Sequence, residues 1–146
     1  MSTFEEILEK DGKLVYKTKG ISMNPMLYQN RDLVVIEVPQ GRLRKYDVAL
    51  YRRGKSYVLH RVIGVNEDGT YSIRGDNTYS IETVPEEAVI GVLTGFVRDG
   101  RQYSVTDPEY QRCVKLWDAA YPVRSFNVHL KWCVKGVLRR IIKGKK

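Results

Sequence analysis

The chain has 146 residues, 42% of them apolar and 29% charged, which suits one domain with a sizeable core and removes any need for disulfides or metal to hold it together. Its two cysteines, Cys113 and Cys133, form no Cys-x-x-Cys pair, and with only two histidines in the chain they argue against a zinc site; no metal or other cofactor is expected. The net charge is +8, yet acidic residues stop at Asp118, and the eight cations beyond it hold the whole excess, so the body is neutral and the tail is basic.

The opening MSTFEEILEKDGK carries acidic residues where a signal peptide needs a basic region and an apolar run, and no later stretch is long and apolar enough to cross a bilayer. With nothing in the cysteines demanding an oxidising compartment, a cytoplasmic location is expected. Ser2 or Thr3, followed three residues on by Glu5 or Glu6, matches a capping box in front of Phe4, Ile7 and Leu8. A short helix over 3–10 follows, ended by Asp11-Gly12.

Strand-like runs rich in Val, Ile and Tyr come next, at 14–18, 32–38, 46–52, 56–65, 70–75 and 88–98. The turn signals Asn66-Glu67-Asp68-Gly69 and Asp99-Gly100 make hairpins of the junctions they occupy. Pro108 opens a helix to about Ala120, with Tyr110, Val114, Leu116 and Trp117 as its apolar residues, and a second helix is expected from Phe126 to Lys143. The expected fold is mainly β: an antiparallel sheet or closed barrel over 1–105, then a helical extension over 106–146 packed on or beside it.

Three segments carry possible chemistry: GISMNPML at 20–27, YVLHRVIGV at 57–65 and IRGDNTYSIE at 73–82. Each has an ordinary reading. Loop serines are commonly turn-formers, a histidine in an apolar strand is commonly a satisfied core residue, and Gly-Asp-Asn favours a turn. Together and in this order, Ser-Met-x-Pro, His-Arg-Val and Gly-Asp-Asn resemble the signal peptidase and LexA-type serine peptidase superfamily, over about residues 14–98. The resemblance implies a peptidase-like β domain with Ser22 as nucleophile. It implies a general base at His60, where many members have lysine, so the similarity is to the endoplasmic-reticulum and archaeal branch.

A serine hydroxyl needs a neighbouring base to become a nucleophile, and imidazole titrates in the right range for that role. A third group should orient the imidazole. Asp76, in the Gly-Asp-Asn turn, and Glu82, where that branch commonly has its aspartate, compete for the role; Glu82 is preferred and Asp76 is read as structural or electrostatic. The oxyanion site would come from backbone N–H groups near Ser22. Met23 and Pro25 are candidate substrate contacts, with core filling the alternative for Met23.

Membrane-anchored relatives in that superfamily carry a spanning segment beside the nucleophile, and only about twenty residues precede Ser22 here. The tail bears on this gap. Phe126, Leu130, Cys133, Val134, Val137, Leu138, Ile141 and Ile142 gather mostly on one side of a helix, with Lys131, Lys135, Arg139 and Arg140 mainly on the other. With Trp132, such a helix over 126–146 could make peripheral contact with an anionic membrane, or else pack on the domain with a solvated basic face. Nucleic acid is disfavoured, because no recognisable binding motif accompanies the lysines.

The leading expectation is a serine endopeptidase acting on a peptide or leader segment. The alternative is a peptide-binding module of the same fold without turnover. A LexA-like self-cleaving regulator fits less well, since histidine replaces lysine and little chain precedes Ser22.

Overall fold

Thr3 starts the first helix, α1 (Phe4–Asp11): its hydroxyl accepts the Glu6 N–H at 3.2 Å, and the Glu6 carboxylate accepts the Thr3 N–H at 3.0 Å. These reciprocal bonds satisfy donors that a helix end otherwise leaves open. The computed structural model describes residues 2–144, without the Trp132 side chain, so the expectations for Trp132, Lys145 and Lys146 lie outside the described residues.

Eight strands follow: β1 (Lys13–Lys17), β2 (Asp32–Glu37), β3 (Val48–Arg53), β4 (Ser56–Val65), β5 (Thr70–Arg74), β6 (Glu82–Pro85), β7 (Val89–Arg98) and β8 (Arg101–Ser104). All pairings are antiparallel, in the order β1-β2-β7-β3-β4-β5-β6, with β8 also on β7. The path is open. Its end strands β1 and β6 do not pair with each other among the described residues, where the sequence allowed a closed barrel. Tyr16 and Lys17 of β1 and Glu82 of β6 instead line one cavity, which occupies the seam.

Four consecutive buried residues of β3 explain the layering. Side chains alternate along a strand. Val48 and Leu50 therefore join a core with Leu8, Met23, Leu27, Ile36 and Leu93, while Ala49 and Tyr51 join a second with Val62, Tyr71, Ile73 and Val84. Each large aliphatic side chain so buried contributes about 1.5–3 kcal/mol.

Several boundaries differ from the sequence reading. β3 starts at Val48 because Tyr46 sits at φ 80° and Asp47 closes a turn, its carboxylate accepting the Arg44 N–H at 2.8 Å. β8 is the second arm of the hairpin that Asp99-Gly100 announces, though the sequence gives it no range, and β6 has no expected counterpart; each is four residues long, too brief for a period-two pattern to register. The helix α2 (Pro108–Ala119) falls as expected, but α3 (Tyr121–Gly144) begins five residues earlier than Phe126. Pro122 lies in its first turn, where a missing N–H costs no helical bond.

Asp32, fully buried at the start of β2, fastens the end of the serine-bearing loop. It accepts bonds from the Tyr28 N–H at 2.8 Å, from Arg98 at 2.8 and 2.9 Å, and from Arg31 at 3.0 Å. Arg98 also donates to the Met26 carbonyl at 2.9 Å. Burial alone would raise the carboxyl's pKa; the donors from Arg98, Arg31 and Tyr28 outweigh it and hold the group well below the usual carboxylate range. A depressed carboxyl pKa stabilises the fold above the unfolded-state value and loses that contribution as pH falls. Asp32→Ala is expected to lower the unfolding free energy by about 3 kcal/mol in urea titrations at neutral pH, with a smaller difference from wild type in acid.

Candidate active site

The loop between β1 and β2 presents Ser22. The Gly20 N–H is tied to the Gln29 side chain at 2.9 Å, the Asn24 N–H bonds the Ile21 carbonyl at 3.1 Å, and the Leu27 N–H bonds the Met23 carbonyl at 2.9 Å. Met23 and Leu27 plug this loop into the first core. Ser22 is half-buried, and its hydroxyl has no hydrogen-bond partner among the described residues.

The Gly-Asp-Asn turn after β5 grips the serine loop directly. The Asn77 N–H donates to the Ser22 carbonyl at 2.8 Å, and the Asn77 side-chain amide donates to the Ile21 carbonyl at 3.2 Å. Gly75 explains why a glycine stands there. A Cβ at that position would lie 2.8 Å from the Ser22 carbonyl oxygen, 3.0 Å from Thr78 Cγ2 and 3.1 Å from His60 Nε2. The turn thus brings the serine loop and the histidine to one point that only a hydrogen can occupy.

Asp76 faces elsewhere. Its carboxylate forms a two-pronged pair with Arg61 at 2.7 and 2.8 Å, both side chains buried. Arg61 also donates to the Tyr46 carbonyl and meets the Tyr110 hydroxyl. The Asp76 carbonyl accepts the Trp117 indole N–H at 2.7 Å and Arg124 at 3.2 Å. Asp118, at the end of α2, bonds Arg74 and Tyr46. The helical corner therefore braces the turn from behind.

His60 lies in the middle of β4, opposite Ala49 of β3. Neither Asp76 nor Glu82 hydrogen-bonds its ring. Nδ1 stands 3.4 Å from the Tyr51 hydroxyl, which donates to Glu82 Oε2 at 2.8 Å, and Arg53 pairs with Glu82 Oε1. With its proton given to Glu82, the tyrosine oxygen, which also takes a bond from Arg53 at 3.4 Å, suits the tautomer that carries its proton on Nδ1. That tautomer leaves a lone pair on Nε2, which has no partner among the described residues.

Burial is the main force lowering the His60 pKa, the Arg53 cation adds to it, and Asp76 partly opposes them; the result is about 4. The ring is neutral at neutral pH.

Ser22, Met23, His60 and Glu82 line one cavity of about 900 Å³, together with Phe4, Tyr57, Arg53, Thr78 and Ser80. Pro25 does not. It borders a separate cavity of about 950 Å³ with Met26, Tyr103 and Tyr110, because the backbone doubles back between Met23 and Leu27. Asp76 is absent from the Ser22 cavity as well. Among the described residues, no group of His, Cys, Asp and Glu is placed to hold a metal.

Tyr51 and Arg53 were missed in the sequence. The signal was the Arg53-Gly54-Lys55-Ser56 hairpin turn: pairing Arg53 with Ser56 sets Tyr51 diagonally across from His60 on the same sheet face. Searches against protein-family models and curated proteins found no match.

The His60 titration, followed by NMR of the imidazole, should have its midpoint near 4, and Arg53→Gln should move it upward, since losing a nearby cation favours the charged ring. A midpoint near the ordinary 6.5 in the wild type would contradict the burial and charge described. Gly75→Ala should destabilise the fold by on the order of 1–3 kcal/mol in thermal or urea unfolding, since the added methyl meets a backbone oxygen.

Proposed function

We propose that the chain is a serine endopeptidase in which Ser22 attacks a peptide carbonyl with His60 as general base. The observation that carries this reading is that an unengaged serine hydroxyl and a neutral histidine with no partner on Nε2 line one cavity, with no hydrogen bond between them among the described residues. Nε2 takes the Ser22 Oγ proton as Oγ bonds to the carbonyl carbon, and the carbonyl oxygen becomes the oxyanion. The N–H groups of Ser22 and Met23, engaged by no other described residue, are the donors offered to it. Collapse breaks the C–N bond, the leaving amine takes the proton from Nε2, and water then releases the acyl group by the same base.

Tyr51 and Glu82 act through the imidazole as positioning residues. The Nδ1–H, Tyr51 and Glu82 chain fixes the ring's tautomer, and Glu82 contributes without touching the ring. Asp76 holds the Gly-Asp-Asn turn in place through Arg61. On this reading the open sheet curls as a barrel-like peptidase core, and the substrate is a peptide or leader segment lying across the seam between β1 and β6. The low pKa of His60 keeps the base available over the whole neutral range, at the expense of basicity.

The test is cleavage of a pooled synthetic peptide library read by mass spectrometry. The wild type is expected to yield defined products, Ser22→Ala to lose turnover by at least about 10³-fold, and Tyr51→Phe to retain partial activity. Equal cleavage by wild type and Ser22→Ala would overturn the assignment. Peptide binding without cleavage by either would favour a non-catalytic binding module.

A further inference from the structure

The helix α3 carries an apolar stripe that nothing in the fold covers. Val123, Phe126, Leu130, Val134, Val137 and Ile141 are each at least half exposed, as is Leu138. At the helical repeat they fall within an arc of about 120°, with Asn127 as the polar exception. Lys131 and Lys135 border one edge of the arc and Arg140 the other, while Arg139 and Lys143 lie further round. Seven such residues on one face of a single helix form an apolar strip about 27 Å long.

We infer that α3 docks in the headgroup layer of an anionic membrane, lying in its plane with the Val123–Ile141 stripe toward the acyl chains and Lys131, Lys135 and Arg140 toward the lipid phosphates. Charge decides between the possible occupants. A second copy of α3 would set the same cations side by side, and no acidic residue after Asp118 is there to pair with them. Nucleic acid would use the cations and leave the apolar stripe in water. An anionic lipid surface satisfies both at once, since apolar burial and phosphate attraction add for a helix lying at the interface. No helix among the described residues is long and apolar enough to cross a membrane, which fits a helix that lies on the surface.

The first turn of α3 fixes what docking would carry with it. Arg124 bonds the Asp76 and Trp117 carbonyls and lies 3.9 Å over the Trp117 ring, and the Tyr121 hydroxyl bonds the Tyr79 carbonyl. A docked α3 therefore stays tied to the turn that holds the Ser22 loop. The lipid contact itself does not depend on peptidase activity.

The experiment is co-sedimentation of the full chain with vesicles of phosphatidylcholine alone or mixed with phosphatidylglycerol, at low and high salt. Binding is expected to the anionic vesicles and to weaken with salt. Leu130→Ser with Val137→Ser should lower it at least tenfold, and Lys131→Gln with Lys135→Gln and Arg140→Gln by roughly 100-fold. Both sets change exposed side chains only. Absence of binding to anionic vesicles, or binding unchanged in either variant, overturns the proposal. So does a concentration-dependent dimer that the Leu130→Ser, Val137→Ser variant dissolves in the absence of vesicle binding, or a DNA duplex bound more tightly than the anionic vesicles. Ser22→Ala should bind vesicles as the wild type does, which separates this test from that of catalysis.

Discussion

The buried pair between Arg61 and Asp76 is the constraint on which the rest of the site depends. Two charges removed from water are tolerable only when their hydrogen-bonding capacity is met, and here both carboxylate oxygens are bonded and the guanidinium also meets Tyr46 and Tyr110. The pair fixes the Gly-Asp-Asn turn to β4. The same turn then reaches in two further directions: Asn77 holds the serine loop by its backbone, and the Asp76 carbonyl receives Trp117 and Arg124 from the helical corner. Because His60 and Arg61 are neighbours on one strand, their side chains leave on opposite sides of the sheet. One faces the cavity and the other anchors the turn that shapes it.

This arrangement divides labour between the two carboxylates. Asp76 is committed to Arg61 and influences His60 only through space, as an anion that opposes the loss of its proton. Glu82 is committed to Arg53 and reaches the ring through the Tyr51 hydroxyl. Burial of the ring, with the positive charge of Arg53 added to it, keeps the imidazole uncharged. A neutral ring with its proton on Nδ1 is the form that can accept a proton from a serine, so the electrostatics and the tautomer favour the same state of the site.

Much of the fold was legible because its signals are local. The capping residues of α1, the ten-residue apolar strand β4, the Asn66–Gly69 turn and Pro108 at the head of α2 each announce themselves within a few residues. The open seam was not legible, because whether β1 meets β6 depends on long-range curvature that no local pattern records. In the site, Ser22, Met23, His60 and Glu82 reach a common cavity, whereas Pro25 lies on a different wall and Asp76 is turned toward Arg61. Tyr51 escaped notice because its role comes from cross-strand register. A tyrosine in an apolar run reads as core, and it is core, with only its hydroxyl reaching the histidine.

The most direct measurement is acylation by a small activated ester such as p-nitrophenyl acetate, with the modified residue located by peptide mass mapping. If His60 activates Ser22, the wild type carries an acetyl group on Ser22 and His60→Ala loses it. An adduct at Ser22 that forms equally well without His60, or acylation that bypasses Ser22 altogether, would contradict it.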